Sequence, residues 1–423
     1  MTAPLPATGP HTSTRPLRVA LIGLGTVGRE VARGLLRRDV HARSVAGRQV
    51  RLVAVADRDP SRLEGLDLAG VECVGDGARL IGDAEIDVIV ELIGGIDGAG
   101  RIVSAALEAG HSVVTANKAL LARRGAELEA LARDQEVALR FEAAAGGGIP
   151  ILSPLASDLA ADRIASIRGI VNGSTNFVLS EMGSGPASYD DVLGRAQTLG
   201  YLEADPGWDV EGRDAADKLA ILVRLAFGCW PDVDGIRRAP PRAGAGAATI
   251  ADAEPGIASV TQLLVTAARA RGFAVKLVAS ASLEGSGVVS ASVLPVAIPL
   301  DDPLACTDGA QNRIEIDADP VGAVAFVGPG AGGAATSSAV LGDILAIARG
   351  HGSTWAGLPE AVPLAPDRLL DGLDAPRRWL AACTDAGGAA TSVSLVGPAS
   401  LADVRRDLAS APGTILYPVL EAR

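Results

Sequence analysis

Carboxylates and a lysine crowd one stretch of the chain: Glu203, Asp205, Asp209, Glu211, Asp214 and Asp217 lead up to Lys218. Directly after them, residues 219–227 are apolar except for Arg224, which predicts a helix that is apolar nearly all round and so buried. Asp214 and Lys218 stand four apart and share one face of that helix. Pro206 and Gly207 make the approach irregular, so that Glu203 and Asp209 can come up to the helix start. Acids and a lysine gathered there suit a small polar substrate carrying an ammonium group. The same spacing also fits an ordinary ion pair on a solvated first turn, and the stretch alone leaves both readings open.

A second chemistry-bearing pattern lies near the other end. Residues 17–24, LRVALIGL, read as a buried strand, and a helical pattern follows through Leu36. Between them, Gly23, Gly25 and Gly28 with Leu24, Thr26 and Val27 form a complete GxGxxG. In a dinucleotide-binding turn the first glycine permits the tight bend and the second lets the backbone approach a pyrophosphate. The third lets strand and helix pack closely. The helix N-terminus then offers free N–H groups to phosphate. The next strand, 50–56, ends in Asp57-Arg58-Asp59. An acid there serves the ribose hydroxyls of NAD and an arginine the 2′-phosphate of NADP, so both cofactors stay open.

Three further strand ends carry candidates. The strand 86–93 runs into Gly94-Gly95, and the strand 112–116 into Thr115-Ala116-Asn117-Lys118, where a parallel sheet presents residues to its ligand crevice. The strand 138–143 ends in Glu142 and the glycines 146–148, which fit a backbone folded closely around something or a hinge. A cation ringed by carbonyls is one partner for Glu142. Asn172 to Asn176 form a polar turn before a helix at 177–182. A second glycine-rich strand-to-helix turn, 328–333, precedes an apolar helix at 337–348.

The elements that must position these residues suit an α/β protein of more than one domain. Strands alternate with helices over the first 150 residues or so, as in a doubly wound parallel sheet. Alternating runs near 275–281, 288–296, 313–316 and 323–327 suggest a second, mixed sheet, and 237–255, rich in Pro, Gly and Ala, a flexible surface loop. With 423 residues and 3% aromatics, the chain has ample apolar core. A net charge of −12 argues against nucleic acid and anionic membrane as partners. The four cysteines and four histidines are scattered without metal or redox spacing. Residues 1–16 read as a disordered tail rather than a signal peptide, and no apolar run approaches membrane-spanning length, so the expected compartment is the cytoplasm.

The chain resembles homoserine dehydrogenases. The likeness rests on GLGTVG (23–28), VVTANKALLA (113–122), EAAAGGGIPI (142–151), VNGSTNF (171–177), GYLEADPGWDVEGRDAADKLAIL (200–222) and GPGAGGAATSSAVLGDI (328–344). It implies reversible NAD(P)H-dependent reduction of aspartate 4-semialdehyde to homoserine, toward threonine and methionine. It further implies Lys218 as proton donor and acceptor, and Lys118 between nicotinamide and substrate. Glu203 and Asp214 would hold the substrate, with Asp209 and Gly200 beside them. Gly23, Gly25, Thr26, Val27, Gly28, Arg58, Thr115, Lys118 and Gly332 would bind NADP or NAD. Glu142 with the carbonyls of Ala145, Gly147 and Ile149 would match a sodium site. A lysine near a buried helix start feels the positive dipole end and desolvation, and both favour the neutral form that exchanges protons near neutral pH.

The resemblance also implies the domain plan: a Rossmann-type nucleotide-binding domain over 17–146 completed by 318–349, an α+β substrate-binding and dimerisation domain over 147–317, and a short α+β extension over 350–423. A homodimer is expected. Many bacterial members carry a C-terminal regulatory module. The roughly 75 residues after the last motif are short for one, so threonine inhibition is not expected to carry over. The extension is expected to be an appendage, its strands near 379–383, 392–396 and 414–420 pairing together or packing on a second subunit. The competing readings are another NAD(P) oxidoreductase acting on a different amino-acid aldehyde, which should lack the full run from Glu203 to Lys218, and a non-catalytic nucleotide sensor, which should lack one of the two lysines.

Overall fold

The computed structural model describes residues 15–37, 48–202, 205–243, 256–285, 287–384, 390–411 and 413–420. The chain forms two compact units, each drawn from three separate segments. The first comprises Met1–Asn117, Glu127–Ala143 and Gly332–Ala356. The second comprises Lys118–Ala126, Ala144–Ala331 and Gly357–Arg423.

In the first unit, β1 (Leu17–Ile22), α1 (Thr26–Leu36), β2 (Val50–Ala56), β3 (Glu72–Val74) and β4 (Val88–Glu91) are followed by α2 (Asp97–Glu108) and β5 (Ser112–Thr115). Then come α3 (Lys118–Asp134), which starts in the second unit, and β6 (Leu139–Arg140). The sheet order is β3-β2-β1-β4-β5-β6, all parallel. This is the doubly wound order, with its topological switch between β1 and β4. Every residue of β4 is buried, as expected of a central parallel strand with both faces covered.

The expected strand 138–143 shrinks to β6. The Phe141 N–H goes to Thr354 Oγ1 at 3.0 Å and the Glu142 N–H to Asp343 Oδ2 at 2.8 Å. Side chains some two hundred positions away thus take the donors a longer strand would pair, and a single helical turn, Ala143–Gly146, follows.

The second unit contains β7 (Arg163–Ile170), α4 (Gly173–Ser184), α5 (Tyr189–Thr198) and α6 (Arg213–Phe227). After these come α7 (Gln262–Arg269), β8 (Phe273–Glu284), β9 (Val288–Pro299), β10 (Gln311–Asp319) and β11 (Gly322–Pro329). Its mixed sheet runs β11-β10-β7-β8-β9, with the short strand Leu369–Leu370 at the far edge. The pairing corrects the expected completion of the nucleotide domain from 318. Both β10 and β11 belong to this sheet, so the returning segment starts at Gly332 and carries α8 (Gly333–Ala348) into the first unit.

The extension over 350–423 is likewise divided. Gly350–Ala356 stays with the first unit, where the Thr354 N–H donates to the Leu139 carbonyl. Beyond it, β12 (Arg377–Thr384), β13 (Ala390–Ala399), α9 (Leu401–Asp407) and β14 (Ile415–Pro418) form a small antiparallel sheet, β13-β12-β14, with one helix. Trp379, Ala381, Leu401, Val404 and Leu416 share a core with Leu294, Val296 and Ile298 of β9. The expected appendage is therefore part of the second unit's own core. The expected loop 237–255 is also ordered where it is described: Arg237 bridges Ser292, Arg242 bridges Ile415, and Ala239 and Ala243 are buried. The rest of that loop, 244–255, lies outside the described residues, as do residues 1–14.

Candidate active site

Glycines at φ +77° and +78°, Gly212 and Gly228, bound α6, and from Asp214 to Leu225 every residue of the helix is buried. Charges at its start are thus carried into the interior, and they are paired. Lys218 donates to Asp214 Oδ2 at 2.8 Å and to the Val171 carbonyl at 2.7 Å. Lys118, the first residue of α3, meets the other oxygen, Asp214 Oδ1, at 2.9 Å. One carboxylate therefore bridges the two lysines singled out in the sequence. Burial works to raise the Asp214 pKa, but Lys218 and Lys118 outweigh it and hold the carboxyl well below its ordinary range. In return Asp214, against the desolvation that opposes it, lifts Lys118 above the usual lysine value.

Asn172 completes this cluster, a role that its place in the polar turn does not predict. Its Nδ2 donates to Asp209 Oδ1 at 2.7 Å and to Asp214 Oδ2 at 2.8 Å, while its Oδ1 caps α4 by accepting from the Thr175 N–H. The polar turn at 172–176 was the visible signal, because Asn is a preferred N-cap; its second bond set is not readable from local spacing. Burial and the neighbouring Asp214 push Asp209 above its usual pKa, with the Asn172 bond opposing. Gly200 closes α5 in the left-handed region at φ +77°. The carbonyl of the next residue, Tyr201, accepts from Ser174 at the start of α4. Glu203 lies outside the described residues.

In the first unit the three glycines of the turn differ in what they are for. A Cβ on Gly23 would stand 2.6 Å from the Leu92 carbonyl oxygen, and one on Gly28 only 1.9 Å from that of Gly23. Gly25 has room: the nearest atom to its Cβ position is Arg62 Nη1 at 3.9 Å. Among the described residues no side chain caps the start of α1, where Thr26 is exposed and Val27 turns toward the core. This leaves an open backbone surface and helical N–H groups, which fits a pyrophosphate. Gly332 caps α8 at φ +108°, and the following Gly333 packs against Thr26. Thr115 is fully buried, its hydroxyl donating to Glu91 Oε2 at 2.6 Å and accepting from the Asn117 N–H at 3.0 Å. Asp57 accepts from the Leu24 N–H at 2.6 Å and locks the turn. Arg58 is exposed; the arginine beside Asp57 is Arg62, at 3.4 Å.

Glu142 is buried in the first unit beside Asp343, whose carboxylate bonds Arg140 Nε at 2.7 Å. Burial pushes Asp343 up to about 6 despite that arginine. In the second unit Gly147 sits at φ +60° with the Gly330 carbonyl filling its Cβ position. Gly148 donates to the Pro329 carbonyl, and Ile149 to that of Gly146, three residues beyond Ala143. Close backbone approach accounts for these glycines.

Two family models cover most of the chain: the homoserine dehydrogenase model over residues 150–345 and the homoserine dehydrogenase NAD-binding domain over 23–142. The homoserine dehydrogenase of Corynebacterium glutamicum is 42% identical over 370 residues, spanning 84% of this chain and 78% of the relative. This chain belongs to the homoserine dehydrogenase family. The homoserine dehydrogenase of Mycobacterium tuberculosis is 39% identical over 367 residues, spanning 84% of this chain and 79% of that one. A homoserine dehydrogenase structure from Thiobacillus denitrificans aligns with a TM-score of 0.80 at 32% identity, covering 96% of this chain and 99% of its own. A hyperthermophilic archaeal homoserine dehydrogenase in complex with NADPH aligns with a TM-score of 0.63 at 28% identity, covering 82% and 100%. As a homoserine dehydrogenase, the protein is an NAD(P)-dependent oxidoreductase interconverting aspartate 4-semialdehyde and homoserine. The reading as a different aldehyde oxidoreductase or a non-catalytic sensor is not favoured.

Proposed function

We propose that Lys218 carries the proton of this reaction and that Lys118 polarises the reacting oxygen, both held by Asp214. The observation that carries the proposal is the bridge itself: Asp214 holds Lys118 on one oxygen and Lys218 on the other. In the reductive direction Lys218 donates to the aldehyde oxygen as it becomes the hydroxyl of homoserine; in oxidation it takes that proton back. Asp209 and Asp214, tied together by Asn172, orient the polar groups of the substrate, and Glu203 and Gly200 are assigned to the same task. The nicotinamide, when bound, supplies or accepts the hydride. Gly25, Thr26, Val27 and Gly332 serve the dinucleotide through their backbones, Gly23 and Gly28 shape the turn that presents them, and Thr115 is assigned to the same cofactor end.

Lys218→Ala should lower kcat for homoserine oxidation by roughly 10²–10⁴-fold, the usual worth of a positioned proton carrier. The Kd for NADP should change little. Unchanged kcat would remove Lys218 from the reaction.

NADP is the preferred cofactor in this reading, and Arg62 rather than Arg58 reads its 2′-phosphate. Arg62 is the guanidinium near Gly25 and Asp57. An oxygen-only set of Glu142 with the carbonyls of Ala145, Gly147 and Ile149 suits a hard cation, here sodium; a sodium-dependent rise in melting temperature tests it. The homodimer and the cytoplasmic location belong to the same proposal, the first open to sedimentation velocity and the second to fractionation. No helix among the described residues is long and apolar enough to cross a membrane.

A further inference from the structure

The lysine bridge has a second pair of charges running beside it. Asp217 lies three residues beyond Asp214 on α6 and is fully buried. Arg123 lies five residues beyond Lys118 on α3 and donates to Asp217 Oδ1 at 2.8 Å. Its other nitrogen approaches Asp234 at 3.6 Å. The same guanidinium stands 5.6 Å over the ring of Trp208, the residue just before Asp209, and Arg213 stands 5.5 Å over that ring as well. Asp217 Oδ2 is buried and has no hydrogen-bond partner among the described residues.

Asp217 thus competes with Asp214 for any cation that α3 brings to α6. Lys118 feels both carboxylates, Asp214 most strongly and Asp217 after it. A buried carboxylate without a counter-charge is costly and draws the nearest cation. We propose that Arg123 is a positioning residue for Lys118: by occupying Asp217 and stacking on Trp208, it leaves the Lys118 ammonium to Asp214. The planar fork suits the double task, since one face stacks while the edge bonds. This inference rests on the role assigned to Lys118 above.

Steady-state homoserine oxidation with NADP tests it. Arg123→Gln should lower kcat roughly tenfold or more, the scale of a small misplacement, with the KM for NADP within about twofold. Arg123→Lys, which keeps the charge, should recover part of that loss. Adding Asp217→Asn to Arg123→Gln should recover most of it, because no bare carboxylate then remains to capture Lys118. A structural role alone would lower the melting temperature without this rescue. The proposal is overturned if Arg123→Gln keeps kcat within about twofold of the parent, or if the added Asp217→Asn brings no gain. Should Arg123→Gln not fold, Arg123→Met takes its place, and a kcat within about twofold of the parent in that variant, or no gain on adding Asp217→Asn to it, overturns the proposal. Lys118→Ala separates the two layers. Full activity in that variant would sink the role of Lys118, whereas lost activity beside a fully active Arg123→Gln would sink the positioning proposal alone.

Discussion

Asp214 does at the scale of one residue what a larger site would otherwise need several groups for. Its two oxygens face two ammonium groups and an amide, so rotating the carboxylate to satisfy one partner would abandon another. The preorganisation is of the kind that makes polar groups effective away from water. The cofactor end depends on single residues too. Because charged hydrogen bonds are worth about 1.5–3 kcal/mol, Arg62→Ala should raise the KM for NADP about ten- to a hundredfold and that for NAD far less. Arg58→Ala should have the smaller effect. A larger effect from Arg58→Ala would return the assignment to the residue that the strand-end pattern first suggested.

Among the elements, the strand-turn-helix at the start of the first unit was the most legible. Its glycines, its apolar strand and its helix are all local signals, and they place Gly23, Gly25 and Gly28 as expected. They also separate by experiment. Gly28→Ala forces backbone overlap and should cost about 1–3 kcal/mol or more, read by thermal or urea unfolding. Gly25 has an ordinary φ of −66° and free space, so Gly25→Ala should change stability by less than about 0.5 kcal/mol yet weaken cofactor binding. Equal stability losses in both would end the assignment of Gly25 to the pyrophosphate. The buried helix with Asp214 and Lys218 was legible for the same reason, since its apolar run and the four-residue spacing of its charges are local signals. What stayed hidden is non-local. The Asn172 amide reaches Asp209 and Asp214 some forty residues on, and Asp343 and Thr354 cut short the strand before Glu142 from two hundred residues away. No window of sequence contains both partners of such a bond.

On the scale of the whole molecule, the surprise is the last segment. Trp379, Leu380, Leu416 and Tyr417 are all fully buried, and Tyr417 donates to the Ser259 carbonyl at 2.7 Å. At about 1.5–3 kcal/mol for each large apolar side chain, removing them would consume most of a typical 5–15 kcal/mol stability. A variant ending at Arg349 should therefore fail to give a cooperative unfolding transition for the second unit and should lack homoserine oxidation. A truncated protein with wild-type melting would restore the view of this segment as an appendage. The three-segment build of the first unit bears on something else, the order of events during synthesis. Val340, Ile344 and Ala348 of α8 complete the core over β1 and β2, yet Ala144–Ala331 must be translated before they exist. At ordinary elongation rates that interval lasts about ten to forty seconds. Throughout it the nascent nucleotide-binding sheet lacks the helix that covers one of its apolar flanks, so the core of the first unit is completed only when the chain returns to it.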